Sequence, residues 1–153
     1  YLFNKFLFFR SCRSLLVVVY VKRKKQEIMR TLQIEGTNDR PEVKFDDKKG
    51  VLFMGGSSLP ENVLEVFNPL MQWIDEYKNA TTSTTKVEFS FEYLNTSSTN
   101  MVARLIEKIY ELRLKTSVEF NWYYAHGDYD MKELGLDLLE EMDVRYNIIE
   151  VAA

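Results

Sequence analysis

The segment Lys86 to Tyr93, KVEFSFEY, alternates apolar and polar residues without a break: Val87, Phe89, Phe91 and Tyr93 project to one side, Lys86, Glu88, Ser90 and Glu92 to the other. Side chains of an extended chain alternate between faces, so this is a β-strand with one face in a core and the other toward solvent. Such a strand does not stand alone. It needs neighbours to pair with and an apolar layer over one face, and the rest of the chain must supply both.

The supply is visible. Thr31–Glu35 (TLQIE) alternates, Val43–Phe45 and Val51–Met54 are two further short runs, and Asp46–Gly50 (DDKKG) between them has the composition of a turn. Gly55-Gly56-Ser57-Ser58-Leu59-Pro60 breaks the third run and opens a helix, since proline fits a first helical turn and Glu61 favours the positive end of the dipole. Val63, Phe67, Leu70, Ile74 and Tyr77 then recur three and four apart, the spacing of one apolar helix face; Pro69 either kinks that helix or, with Asn68, marks a second one. After the Lys86–Tyr93 strand comes an amphipathic helix from near Asn100, with Met101, Val102, Leu105, Ile106, Ile109 and Tyr110 on its apolar face. An alternating strand (Val118, Phe120, Trp122, Tyr124), a helix through Met131, Leu134, Leu138 and Met142, and a strand at Tyr146–Val151 complete the chain. The order βββ-α-β-α-β-α-β predicts one α/β domain, a mixed and partly parallel sheet covered by about three to four helices with right-handed crossovers.

Composition limits function. With 20 Lys and Arg against 23 Asp and Glu, the chain carries a net charge of −3 and lacks the basic excess of a nucleic-acid binder. A single cysteine, Cys12, and a single histidine, His126, exclude an internal disulfide and a Cys/His zinc cluster, and they fit a reducing, cytoplasmic setting. The charge is unevenly placed: residues 1–28 hold seven basic residues and one acid, residues 29–153 thirteen and twenty-two, a net of −9. The longest uncharged run of the leading segment, Ser14–Val21, is far short of the ~20 apolar residues of a membrane span. Its basic cluster, Lys22-Arg23-Lys24-Lys25, follows the apolar stretch, the reverse of a signal peptide. Met29 is the first methionine and the patterned sequence begins directly after it. Residues 1–28 are therefore expected to be a leader outside the folded unit and 29–153 the folded domain. A membrane-surface arm is the alternative for so basic and aromatic a segment.

Four hydroxyl residues in a row, Thr96-Ser97-Ser98-Thr99, follow Leu94-Asn95 at the joint between the best strand and the next helix. Free amides and the positive dipole end at a helix start would stabilise a phosphate there. Serine and threonine are also among the commonest N-caps, and on residue chemistry alone capping is the stronger reading. Asp128, Asp130 and His126 are the candidates for a small metal-dependent enzyme. Asp130-x-x-Glu133, however, matches a capping box, and no further oxygen ligands stand at a known spacing. Gly55-Gly56-Ser57-Ser58 lacks the lysine and the spacing of a phosphate loop. Trp122, Tyr123 and Tyr124 would stack a base only with a basic cluster beside them, and the sequence places none there. No catalytic constellation, metal set or cofactor motif emerges.

Three strings in one frame carry a family resemblance. Leu32-Gln33-Ile34-Glu35-Gly36-Thr37 with Pro41-Glu42-Val43, then Ser58-Leu59-Pro60-Glu61-Asn62, then Tyr93-Leu94-Asn95-Thr96-Ser97-Ser98 resemble, in order and spacing, the SiaC family of bacterial regulatory phosphoproteins. The resemblance covers about Met29–Val151, and the first 28 residues have no counterpart in it. It implies a STAS-like domain, similar in architecture to anti-sigma-factor antagonists, without catalysis or a cofactor of its own. It further implies control by a dedicated protein kinase and a PPM-type phosphatase, the unphosphorylated form binding and activating a diguanylate cyclase. The phosphorylated threonine of the family's N-T-S-S motif falls on Thr96, with Asn95, Ser97 and Ser98 around it, and Pro60, Glu61 and Asn62 become a candidate partner surface. Where the family often has a basic residue soon after that motif, this chain has Thr99-Asn100, which leaves Arg104, one turn further on, as the nearest cation. An unphosphorylated STAS-like binding module is the alternative within the same fold.

Overall fold

A six-stranded sheet with three α-helices accounts for the residues described by this computed structural model, 31–79 and 84–152. The expectations for residues 1–28, including Cys12, lie outside the described residues. In chain order the elements are β1 (Leu32–Ile34), β2 (Glu42–Asp46), β3 (Val51–Ser58), α1 (Val63–Tyr77), β4 (Thr84–Leu94), α2 (Thr96–Tyr110), a short 3-10 turn at Glu111–Leu114, β5 (Ser117–Ala125), α3 (Tyr129–Leu139) and β6 (Arg145–Val151). The mixed, partly parallel α/β sheet expected from the pattern is the one observed.

Strand order in the sheet is the order in the chain. β1, β2 and β3 form an antiparallel meander, and β3 to β6 are parallel neighbours in sequence. The β2–β3 turn is closed by Asp46, whose Oδ1 accepts the Lys48 and Lys49 amides at 3.0 Å each. Gly50 completes it at φ 65°, where a Cβ would also stand 2.4 Å from the Thr84 carbonyl oxygen. Right-handed crossovers between strands added always on the same side place every crossover helix on one face.

Register and contacts agree. Val43, Met54, Phe89 and Trp122 are successive cross-strand partners on that face, as are Phe45, Leu52, Val87 and Phe120. Phe45 meets Trp73 of α1 edge-on at 5.3 Å, while Trp122 donates Nε1–H to the Met131 carbonyl of α3 at 2.9 Å. Each large apolar side chain fully buried in this single layer contributes about 1.5–3 kcal/mol. The opposite face carries Gln33, Lys44, Phe53, Glu88, Asn121 and Asn147 in register and has no helix over it among the described residues. The helices therefore cover one side only, which is why β4 reads as alternating although parallel strands are usually buried on both faces.

Several boundaries differ from the sequence expectation. Gly55 to Ser58 continue β3, and α1 begins at Val63 with Asn62 at its N-cap, not at Pro60. Pro69 lies inside one uninterrupted helix; it and Glu65, whose carbonyl has no amide to receive there, are both on the exposed side, open to solvent. Thr85 belongs to β4, buried with its hydroxyl 3.0 Å from that of Tyr77. The helix expected from near Asn100 starts four residues earlier, at Thr96, and the last helix ends at Leu139 and leaves Met142 outside it. Tyr93 does not share the side of Val87, Phe89 and Phe91. The β3–β4 register slips between Gly56 and Ser57, so Glu92 is passed over and Tyr93 is 54% exposed.

Candidate functional site at the carboxyl end of the parallel strands

β3, β4 and β5 all leave the sheet at the same end, through short segments that lead into α1, α2 and α3. In open α/β sheets, ligand crevices form at this end where the strand order reverses and helices part to opposite faces. No reversal occurs here, so this end is a surface of helix starts and connecting loops.

The hydroxyl run after β4 is divided by its surroundings. Asn95 caps α2: its Oδ1 accepts the Ser98 amide at 2.8 Å, and its carbonyl accepts both the Thr99 amide at 2.9 Å and the Thr99 hydroxyl at 3.1 Å. Its own amide donates to the Ser58 carbonyl at 3.1 Å. Ser98 is fully buried and receives a hydrogen bond from the Ser58 hydroxyl at 2.9 Å across 40 residues of sequence. Thr96 and Ser97 remain exposed, on the first two positions of the helix, and their amides have no partner among the described residues. The cap is thus supplied by Asn95, and the Thr96 side chain is left exposed at the helix start.

The nearest-cation expectation changes with the helix start. Counted from Thr96, Arg104 stands eight residues along α2, about 12 Å along the axis at 1.5 Å per residue, and is exposed without a partner among the described residues. It does not reach the Thr96 side chain. A phosphate there would meet the free first-turn amides and the positive dipole end of α2.

In the β3–α1 connection, Pro60 is buried, whereas Glu61 and Asn62 are exposed, and the Asn62 amide group donates to Glu65 at 3.0 Å. On the β5–α3 side, Asp128 caps α3 by accepting the Met131 amide at 3.0 Å, so the capping carboxylate lies two residues before the expected Asp130. His126 is exposed and its Nδ1 pairs with the Glu150 carboxylate. Asp128 and Asp130 line one groove while His126 is paired with Glu150, and among the described residues no group of three His, Cys, Asp or Glu side chains is placed to hold a metal ion. Nor is any helix of the described residues long and apolar enough to cross a membrane.

Residues 34–151 match the family model of SiaC family regulatory phosphoproteins. The chain belongs to the SiaC family. It is 26% identical over 121 residues to an uncharacterized protein of Pseudomonas aeruginosa (strain UCBPP-PA14), covering 78% of this chain and 96% of that one. Its structure is similar to that of apo-SiaC from Pseudomonas aeruginosa, with a TM-score of 0.71 and 26% identity over 79% of this chain and 99% of that one. It is equally similar, at a TM-score of 0.71 and 25% identity over 80% of this chain and 99% of the other, to the structure of the diguanylate cyclase SiaD in complex with its activator SiaC from that organism.

Within this SiaC-family domain, the end of the sheet that carries Thr96 also carries exposed apolar side chains that the sequence reading did not single out. Leu59, Leu64, Tyr93, Tyr129 and Val151 are exposed apolar side chains in or beside the segments at this end of the sheet. Of these, alternation along β4 marks only Tyr93 as core, and the slip at Gly56 turns it outward.

Proposed function

We propose that this chain is a phosphorylation-controlled partner of a diguanylate cyclase, acting in the cytoplasm, with Thr96 as its switch. The unphosphorylated protein binds and activates the cyclase, a dedicated protein kinase adds the phosphate, and a PPM-type phosphatase removes it. Membership of the SiaC family and the likeness to the SiaD–SiaC complex support the partner class. The observation that carries the switch is the sorting of the hydroxyls: Thr96 is exposed at the helix start beside free amides, while Ser98 is buried and Thr99 is bonded to its own helix.

A phosphate brings roughly −1.5 to −2 charges and a hydrated bulk to a rigid first turn. Where that turn is part of a contact surface, the partner must desolvate the group or be held off by it, and an imperfectly paired buried charge costs several kcal/mol. Such a cost lowers occupancy by orders of magnitude. Titration of a SiaD-type cyclase with the unmodified, phosphorylated and Thr96→Ala forms tests this. The unmodified and Thr96→Ala proteins bind, only the former loses binding on kinase treatment, and Thr96→Glu is intermediate. Equal affinities of the unmodified and phosphorylated forms would remove the switch and leave a plain binding module.

A further inference from the structure

Beside the start of α2 lies a groove of about 270 Å³ between the end of β4 and the start of α3. Glu92 and Tyr93 form one wall, Asp128 and Asp130 the other, and Met131 and Leu134 contribute apolar lining. No lysine, arginine or histidine lines it. Asp128 is engaged as the α3 cap, but Glu92 and Asp130 make no hydrogen bond or ion pair among the described residues. The slip that passes over Glu92 is also what turns Tyr93 outward at 54% exposure, and Tyr129, between the two aspartates in sequence, is 68% exposed. One local irregularity therefore brings an unpaired carboxylate and an aromatic ring to the same rim.

We infer that this groove receives a lysine or arginine side chain of the cyclase, its methylenes against Met131 and Tyr93 and its charge between Glu92 and Asp130. This rests on the proposed cyclase binding and adds the chemistry of the contact. Charge complementarity selects the occupant. An acidic recess lined in part by apolar side chains favours a long basic side chain, which brings an apolar stem and a cationic head together and gains further from an exposed tyrosine face. An acidic or purely apolar partner segment would leave the two free carboxylates facing a like charge or stripped of water.

The test compares the full chain with a Glu92→Gln/Asp130→Asn variant, which keeps shape and removes charge, in titrations against a SiaD-type cyclase at low and high salt. Asp128 is left intact because it caps α3. The variant is expected to bind at least tenfold more weakly at low salt, with a shallower salt dependence than wild type and an unchanged circular dichroism spectrum. If the double variant does not fold, Glu92→Gln alone, on the exposed irregularity of β4, is expected to weaken binding at least threefold. Wild-type binding together with variant binding within twofold at low salt overturns the groove as a cation seat and leaves cyclase binding standing. Absence of binding by the wild-type protein overturns cyclase binding itself and the inference with it.

Discussion

The starts of α2 and α3 are built alike and charged differently. Each follows a parallel strand at the same end of the sheet, and each is capped by a side-chain oxygen that accepts the amide three residues on, Asn95 from Ser98 and Asp128 from Met131. In α3 the cap is a carboxylate and Asp130 adds another in the first turn; in α2 the cap is a neutral amide and the first turn has no acid. Anions near a helix N-terminus are worth about 0.3–1 kcal/mol. The sequence has thus already supplied α3 with the charge its dipole favours, while α2 retains an unfilled electropositive end with an exposed hydroxyl on it. A finished joint and one open to an added anion sit side by side.

The strongest way to break that contrast is to unseat α3. Gly135 leaves no room for a side chain, since a Cβ there would stand 2.4 Å from Cδ1 of buried Trp122, which is itself tied to the Met131 carbonyl. Gly135→Val is expected to lose about 2–3 kcal/mol in urea unfolding through overpacking. Ser97→Val on the exposed first turn of α2 should lose no more than about 0.5 kcal/mol. A neutral Gly135→Val would show that α3 is not locked and that the two starts are less different than their packing indicates.

A smaller effect sharpens the charge argument. Asn95→Ala removes the α2 cap and should cost about 1 kcal/mol, whereas Asn95→Asp keeps the acceptor, adds a charge and should gain about 0.3–1 kcal/mol. Asp128→Asn, the reverse exchange at α3, should lose a similar amount. Phosphorylation of Thr96 should then raise the melting temperature of the wild type and raise it less in Asn95→Asp, where the dipole is already partly satisfied. A melting temperature lowered by the phosphate would refute the claim that α2 has an uncompensated end.

The least effect belongs to the far ends of α1 and α2. Lys108 hydrogen-bonds Asp75 at 2.7 Å and thereby holds that carboxyl below its ordinary value, with Lys78 assisting from 3.6 Å. Lys78, in turn, is raised above the ordinary lysine value chiefly by its hydrogen bond to Glu111. A depressed carboxylate contributes stability that is present above its unfolded value and lost as pH falls through the folded one. For a largely exposed pair that contribution is about 0.2–1 kcal/mol. Lys108→Ala should therefore be slightly less stable than wild type at neutral pH, and the difference should vanish on titration below the ordinary aspartate value, while the Thr96 response stays unchanged. A difference that persisted in acid would mean that Lys108 acts through packing and not through its charge.

The two starts also show what was legible in the sequence. That a hydroxyl run opens α2 is written in Asn95-Thr96-Ser97-Ser98, and its likeness to the SiaC motif singles out Thr96. That Ser98 is unavailable is not written there, because it is buried against Ser58, whose place depends on the pairing of β3 with β4. The start of α2 was expected four residues late because its first turn has no apolar residue before Met101, and periodicity detects only the turns that bury something.

By itself the sequence determined the element order, the half-buried character of β4, the mixed α/β fold class and the family. These rest on side-chain alternation, helical spacing and short motifs, all properties of neighbours along the chain. Tertiary structure decided that the helices of the described residues cover the same face, that Tyr93 turns out beside Glu92, and that of four adjacent hydroxyls only Thr96 and Ser97 stay open. Those outcomes depend on crossover handedness, on the register between strands and on one hydrogen bond between residues 40 apart, and contacts of that range leave no periodic trace in the local pattern.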